Sequence, residues 1–66
     1  MKIKLNSEEK EVPENTTIAG LIELISAPKG MTAFAVNGRM VKRADYASHI
    51  INEGDEVLMI SAAYGG

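Results

Sequence analysis

The side chains of this chain that could carry chemistry are few, and they are not grouped. The sequence has no cysteine and a single histidine, His49, so it offers neither a thiolate nucleophile nor a Cys/His metal cluster. No spacing assigns His49 to a catalytic triad, and no glycine-rich phosphate loop is present. We therefore predict a protein that is not itself an enzyme and holds no metal, with His49 exposed or half-buried.

The last two residues, Gly65-Gly66, are the strongest chemical signal. At ordinary glycine usage, two glycines in these positions occur by chance about once in 200 sequences. Because glycine has no side chain, such an end can pass in extended form through a narrow channel into another protein's active site. Its carboxylate is a poor acyl donor, but adenylation by ATP converts it to a mixed anhydride that sulfur or an amine can attack.

The length and the net charge of the chain limit the functions that it can have. A chain of 66 residues makes one domain and leaves little room for a large pocket of its own. The formal charge of −2 argues against a nucleic-acid binder and against an anionic membrane surface. The start lacks the apolar run of a signal peptide, and no stretch is long enough to span a membrane. We expect a cytoplasmic protein with a folded domain over 1–61 and a flexible, unpaired tail over 62–66.

Alternating polarity in the first residues predicts a β-hairpin over 1–12, which Pro13 ends. An amphipathic helix follows, with Thr17 or Thr16 as its N-cap. Its apolar stripe has helical spacing and consists of Ile18, Leu21, Ile22 and Ile25. Gly20 inside this helix either permits a close backbone approach or is a tolerated weakness of about 1 kcal/mol relative to alanine.

The dipeptide Asn37-Gly38 predicts a two-residue β-hairpin turn, because both residues accept positive φ. The flanking strands are 32–36 and 39–41. Residues 42–55 are predicted to be a connection, and a turn at Gly54-Asp55 leads into a last strand over 56–61. Three apolar residues of the connection are expected to fold back onto the core: Tyr46, Ile50 and Ile51.

The order strand, strand, helix, strand, strand, strand predicts an α+β, ubiquitin-like β-grasp fold: a mixed five-stranded sheet with one main helix packed on one face. The first and fifth strands are expected to pair in parallel at the centre. Patterning predicts a core between helix and sheet that consists of Ile3, Leu5, Ile18, Leu21, Ile22, Ile25, Phe34, Val36, Val57 and Met59.

The same alternation directs Leu58 and Ile60 to the open face of the sheet, near Ala33 and Ala35. Clustered apolar side chains on an exposed face indicate a docking patch for partner enzymes. Self-association, or ordinary scattered surface hydrophobic residues, is the alternative interpretation.

Taken together, several short segments resemble the sulfur carrier family of thiamine biosynthesis, ThiS, over essentially the whole chain. They are Asn37-Gly38, Val41, Arg43-Ala44-Asp45-Tyr46, His49-Ile50-Ile51, Gly54-Asp55-Glu56-Val57 and Gly65-Gly66. The chain departs from the family pattern at Lys42, where proline is frequent, at Tyr46, where tryptophan is commoner, and at Tyr64, where a small residue is usual.

The resemblance implies a protein co-substrate. An E1-like adenylyltransferase, which uses ATP and Mg²⁺, would adenylate Gly66. Sulfur from a cysteine desulfurase pathway would convert it to a thiocarboxylate, and thiazole synthase would accept that sulfur. Gly65 would thread the partner's channel with Tyr64 at its mouth, and the free protein would be a monomer.

Three other β-grasp proteins remain as alternatives. The small subunit of molybdopterin synthase would use the same activation chemistry with a different acceptor. A ubiquitin-like modifier would be conjugated to lysines. A TGS-type domain would be a binding module with no need of a free Gly-Gly end.

Overall fold

The computed structural model describes residues 1–27 and 32–61 of the chain. Its elements are β1 (Lys2–Leu5), β2 (Glu8–Glu11), α1 (Ile18–Ile25), β3 (Thr32–Val36), β4 (Arg39–Val41), a 3₁₀ turn (Arg43–Asp45) and β5 (Glu56–Ser61). Within these residues the five strands form one sheet in the order β2-β1-β5-β3-β4, and β1 pairs with β5 in parallel. The predicted β-grasp topology is confirmed. The predicted mobility of the tail, 62–66, concerns residues outside the described ones.

Both hairpins turn on two residues with positive φ. Asn37 and Gly38 have φ of 52° and 87°, as the Asn-Gly pair predicts. In the first hairpin the turn is Asn6-Ser7, with φ of 50° and 71°, and β2 begins directly after it at Glu8. Both turns bring the flanking strands into a two-residue hairpin register.

The first turn of α1 is held by its cap and by the connection. The Thr17 side chain accepts a hydrogen bond from the Gly20 amide at 3.1 Å, which confirms Thr17 as the N-cap. The amides of Ile18 and Ala19 donate to backbone carbonyls of His49 and Tyr46 at 3.1 and 2.9 Å. Free amides of a helix start need such acceptors, so the connection is fixed against the helix.

Gly20 is not required by a close contact. A Cβ at this position would lie 3.4 Å from Oγ1 of Thr17 and 3.5 Å from Cγ2 of Thr16, which is ordinary van der Waals separation. Of the two interpretations of this glycine, the structure favours a tolerated weakness in the helix.

Most of the predicted core is buried. Ile3, Ile18, Leu21, Ile22, Phe34, Val36 and Val57 are buried, and Leu5, Ile25 and Met59 pack against them in part. The cluster also contains Val12, Tyr46 and Ile51. The ring of Tyr46 meets that of Phe34 edge to face, with centroids 5.7 Å apart, an arrangement that aromatic quadrupoles favour.

The prediction that Ile50 folds back onto the core is wrong, because its side chain is 47% exposed. Ile50 forms an isolated antiparallel bridge with Thr17, and the amide of Ile51 donates to the carbonyl of Thr16 at 2.8 Å. In such extended backbone, successive side chains point to opposite sides. Ile51 takes the inward position, and Ile50 is therefore directed to solvent.

The amino group of Met1 extends the first hairpin by one pair. It donates to the Val12 carbonyl at 2.7 Å, while the Val12 amide donates to the Met1 carbonyl at 2.9 Å. The Glu11 carboxylate lies 3.0 Å from the same amino group, and this hydrogen bond raises the pKa of the Met1 amine above its ordinary value.

Phe34 is the largest fully buried side chain of the described residues, and it supplies the first prediction. Replacing it with alanine should lower the free energy of unfolding by about 3–5 kcal/mol, since the lost contacts leave a cavity between sheet and helix. Urea denaturation would measure the loss. Met40→Ala, at a side chain that is 61% exposed, is the control and should change stability little; equal losses in both variants would contradict the assigned core.

Candidate functional site

Strand β5 lies at the centre of the sheet and leads to the tail. It is paired with β1 at Glu56 and Val57 and with β3 from Val57 to Ser61. Val57 is buried and Met59 is half-buried beneath the helix, whereas Leu58 and Ile60 point to the open face. The predicted strand register is therefore confirmed. The predicted tail residues, Tyr64, Gly65 and Gly66, lie outside the described residues.

The open face carries an apolar patch that we define as Ala33, Ala35, Met40, Leu58 and Ile60. Leu58 is 50% exposed and Ile60 is 43% exposed. Ala35 lies directly between Leu58 on one neighbouring strand and Met40 on the other, and Ala33 faces Ile60. The small alanines leave the larger side chains as the raised part of the surface. The structure thus places both predicted docking residues, Leu58 and Ile60, in one cluster.

The other half of the open face is charged. Lys2 faces Glu11 across the β1–β2 pair, and Lys4 faces Glu9. Lys4 is also the register partner of Glu56 on β5. Opposite charges at facing positions favour the pairing of strands. The apolar patch is therefore bordered on its β1 side by charges of both signs.

The Asn-Gly and Gly-Asp segments meet at one joint, which sequence patterning did not predict. The Asn37 side chain donates from Nδ2 to Oδ1 of Asp55 at 3.0 Å and accepts from the Glu56 amide at 2.9 Å. Asp55 also accepts from the Asn52 amide at 2.9 Å. This joint fixes the start of β5 against the β3–β4 turn, so these residues have a structural role in the fold.

Two further side chains make hydrogen bonds to strand backbone at positions where no neighbouring strand continues. Sequence patterning did not predict these bonds either. Asn6 accepts a hydrogen bond from the Met59 amide at 2.8 Å through its side-chain oxygen. Arg43 donates from Nη2 to the backbone carbonyl of Thr32 at 3.0 Å. The sequence shows Asn6 in a turn-rich segment and Arg43 in an Arg-x-x-aromatic segment, but their partners lie 53 and 11 residues away.

His49 acts through its backbone in this arrangement. It is half-buried, as predicted; its amide donates to the Asp45 carbonyl at 2.8 Å and its carbonyl accepts from Ile18. Among residues 1–27 and 32–61, no group of three or more His, Cys, Asp or Glu side chains could hold a metal ion. In the same residues, no helix is long and apolar enough to cross a membrane.

Comparison with known proteins agrees with this geometry. The model of the ThiS family matches residues 2–66, which include β5, the apolar patch and the Gly65-Gly66 end. The chain belongs to the ThiS family. The resemblance inferred from the short segments is thereby confirmed.

Two relatives of the family extend the match. The sulfur carrier protein ThiS of Escherichia coli (strain K12) is 29% identical over 66 residues, and the alignment covers the whole of both chains. The crystal structure of the thiamine biosynthesis protein (ThiS) from Geobacter metallireducens superposes with a TM-score of 0.85 over 92% of this chain and 93% of that one. At 17% identity, this second likeness concerns the fold.

The joint at Asn37 gives the second prediction. Asn37→Gly keeps a residue that accepts positive φ but removes both side-chain hydrogen bonds, so the free energy of unfolding should fall by about 1–3 kcal/mol. Ser7→Gly, in the other two-residue turn, is the matched control for added chain entropy. Urea denaturation of both variants is the measurement. A loss no larger in Asn37→Gly than in Ser7→Gly would show that the joint contributes nothing.

Proposed function

We propose that this chain is a sulfur carrier of thiamine biosynthesis whose working group is the carboxylate of Gly66. The observation that carries the proposal is the match of the ThiS family through residue 66, together with a central strand that ends five residues before that carboxylate. The protein is accordingly a co-substrate of partner enzymes.

The distance that the tail can span supports this role. Five residues in extended form reach at most about 18 Å. A carboxylate at that reach can enter a buried active site of a partner while the folded domain stays outside. Gly65 adds no side chain to the passage, and Tyr64 is the ring that the mouth of the channel has to accommodate or bind.

The proposed chemistry has three transfers. A carboxylate oxygen of Gly66 attacks the α-phosphorus of ATP in an E1-like adenylyltransferase, and Mg²⁺-bound pyrophosphate leaves. The terminal sulfur of a persulfide, supplied by a cysteine desulfurase pathway, then attacks the acyl carbon, and AMP leaves. A partner's thiol reduces the resulting acyl disulfide, which forms a disulfide on the partner and releases the thiocarboxylate. Thiazole synthase accepts this sulfur. ATP, Mg²⁺ and the catalytic groups belong to the partners, so the carrier binds no cofactor of its own.

The apolar patch is the proposed docking surface for these partners. Leu58 and Ile60 stand on the strand that leads directly into the tail, so a partner that covers them is placed next to the segment it has to receive. Exposed apolar side chains that cluster in this way favour protein contacts. We expect the free protein to be a monomer. We also expect it to be cytoplasmic, because ATP and the desulfurase are available in the cytoplasm.

Deletion of Gly66 gives the third prediction. The shortened chain should no longer be adenylated, because its carboxylate ends one residue short of the reacting phosphorus. Its thermal stability should stay unchanged. The measurement is pyrophosphate release, with intact mass, in a mixture of carrier, adenylyltransferase and ATP. His49→Ala is the control and should react at nearly the wild-type rate.

The products distinguish the possible functions. A carrier gains one sulfur in place of one oxygen at its terminus and passes it to thiazole synthase. A modifier would form isopeptide conjugates, and a molybdopterin synthase subunit would pass its sulfur to a different acceptor and not to thiazole synthase. If the chain without Gly66 reacted as fast as the full chain, the carrier hypothesis would be wrong.

The patch gives the fourth prediction. Leu58→Glu should weaken binding to the adenylyltransferase by roughly tenfold or more, since a buried charge without a partner opposes docking. Leu24→Glu is the matched control, because Leu24 has a similar exposure of 53% on the helix, in the opposite layer. Binding is measured by titration and folding by thermal melting. Equal binding of the two variants would remove the patch from the mechanism.

A further inference from the structure

The end of the sheet from which the tail leaves is a two-stranded ribbon. Strand β1 pairs with β5 only at Glu56 and Val57, and β4 pairs with β3 only as far as Phe34. Beyond these points Thr32–Ala33 faces Ile60–Ser61 without a further strand on either side among the described residues. We call this pair of segments the terminal ribbon. Two strands by themselves are marginally stable in water, so its order needs another source.

On the β5 side that source is Asn6. The chain turns away from β5 at this residue, whose φ is 50°, so β1 has no later backbone carbonyl to offer. The Asn6 amide still donates to the Val57 carbonyl at 2.9 Å. Its side-chain oxygen then accepts from the Met59 amide at 2.8 Å. A side-chain amide here replaces the next backbone acceptor of the ladder.

On the β3 side the source is Arg43. The β3–β4 register pairs Val36 with Arg39 and Phe34 with Val41, so a longer β4 would bring residue 43 opposite Thr32. The chain instead enters a 3₁₀ turn at Arg43. The guanidinium Nη2 reaches back and donates to the Thr32 carbonyl at 3.0 Å. It supplies the hydrogen bond that the backbone of β4 would have made.

We propose that Asn6 and Arg43 are positioning residues for the tail. From opposite sides, their side chains hold the terminal ribbon in register at the place where residues 62–66 begin. The ribbon then presents Gly66 from a fixed base, and the partner has fewer residues to order on binding. This inference rests on the proposed carrier function.

The hydrogen bonds of Asn6 and Arg43 are expected to affect the end of the sheet more than the stability of the whole domain. The bond from Met59 to Asn6 is exposed to water, and that from Arg43 to Thr32 is partly buried. Such bonds add little to global stability, but they raise the free energy of local opening at the end of a strand. Their loss should therefore be seen in docking of the tail more than in unfolding of the domain.

The kinetic test compares Asn6→Gly and Arg43→Met with wild type in the pyrophosphate assay. Glycine keeps the positive φ of the turn, and methionine keeps much of the arginine stem without its donors. Each variant should raise KM for the carrier roughly fivefold, the factor that about 1 kcal/mol produces, and leave kcat unchanged. Ser7→Gly in the same turn and Lys42→Met beside Arg43 are the matched controls and should keep the wild-type KM.

Two readouts separate positioning from general weakening. Asn6→Asp keeps the acceptor oxygen and Arg43→Lys keeps a charged donor, so both should restore most of the wild-type KM. Amide hydrogen exchange should be faster at Met59 and Ile60 in the glycine and methionine variants, with the amides of α1 unchanged.

The outcomes decide between the two claims. If Asn6→Gly and Arg43→Met keep the wild-type KM while the chain without Gly66 is inert, the positioning role is wrong and the carrier function stands. If the rescuing variants are as impaired as the glycine and methionine variants, the hydrogen bonds are not the cause and the inference also fails. Activation of the chain without Gly66 would overturn the carrier function and this inference with it.

Discussion

The parallel pairing of β1 with β5 is the contact on which the rest of the structure depends. It joins the two ends of the chain through the hydrogen bonds of Lys4 to Asp55 and of Asn6 to Val57, both 2.9 Å long. Parallel neighbours cannot be linked by a tight turn and need a long crossover. The helix and the second hairpin occupy that crossover. Because β5 is thereby central, its inward residues close the core and its outward residues form the middle of the exposed face.

The segments on which the resemblance was based are mostly joints of this scaffold. Asn37 and Asp55 fix the entry of β5, the ring of Tyr46 packs against Phe34, and Arg43 secures the far end of β3. These residues hold the strand that carries the tail. The group proposed to react, by contrast, is a backbone carboxylate that needs no side chain around it. Apart from Gly65-Gly66, the residues on which the resemblance rests are therefore separate in this chain from the group proposed to react.

The periodicity of apolar residues in the sequence was sufficient to predict the helix, the strands and most of the core. The bounds of β3, β4 and β5 follow from the Asn-Gly and Gly-Asp turns. Three of the four residues in the predicted helix stripe, Ile18, Leu21 and Ile22, are buried. What patterning missed depends on contacts distant in sequence. Ile50 points outward because a bridge to Thr17 sets the alternation of the connection. Asn6 looks like any turn residue until the end of β5, more than fifty residues later, is placed beside it.

The two largest exposed side chains that β5 gives to the apolar patch lie away from the edge strands of the sheet. Unpaired strand edges invite pairing with other chains, and charges or short strands oppose it. Edge strand β2 reads Glu-Glu-Lys-Glu, and the opposite edge, β4, has three residues. Leu58 and Ile60 lie on β5, away from the edge strands β2 and β4, and only Ile60 falls within the terminal ribbon. Extension of the sheet by a second copy is thereby disfavoured, while the open face leaves the patch accessible on the strand that ends at Ser61.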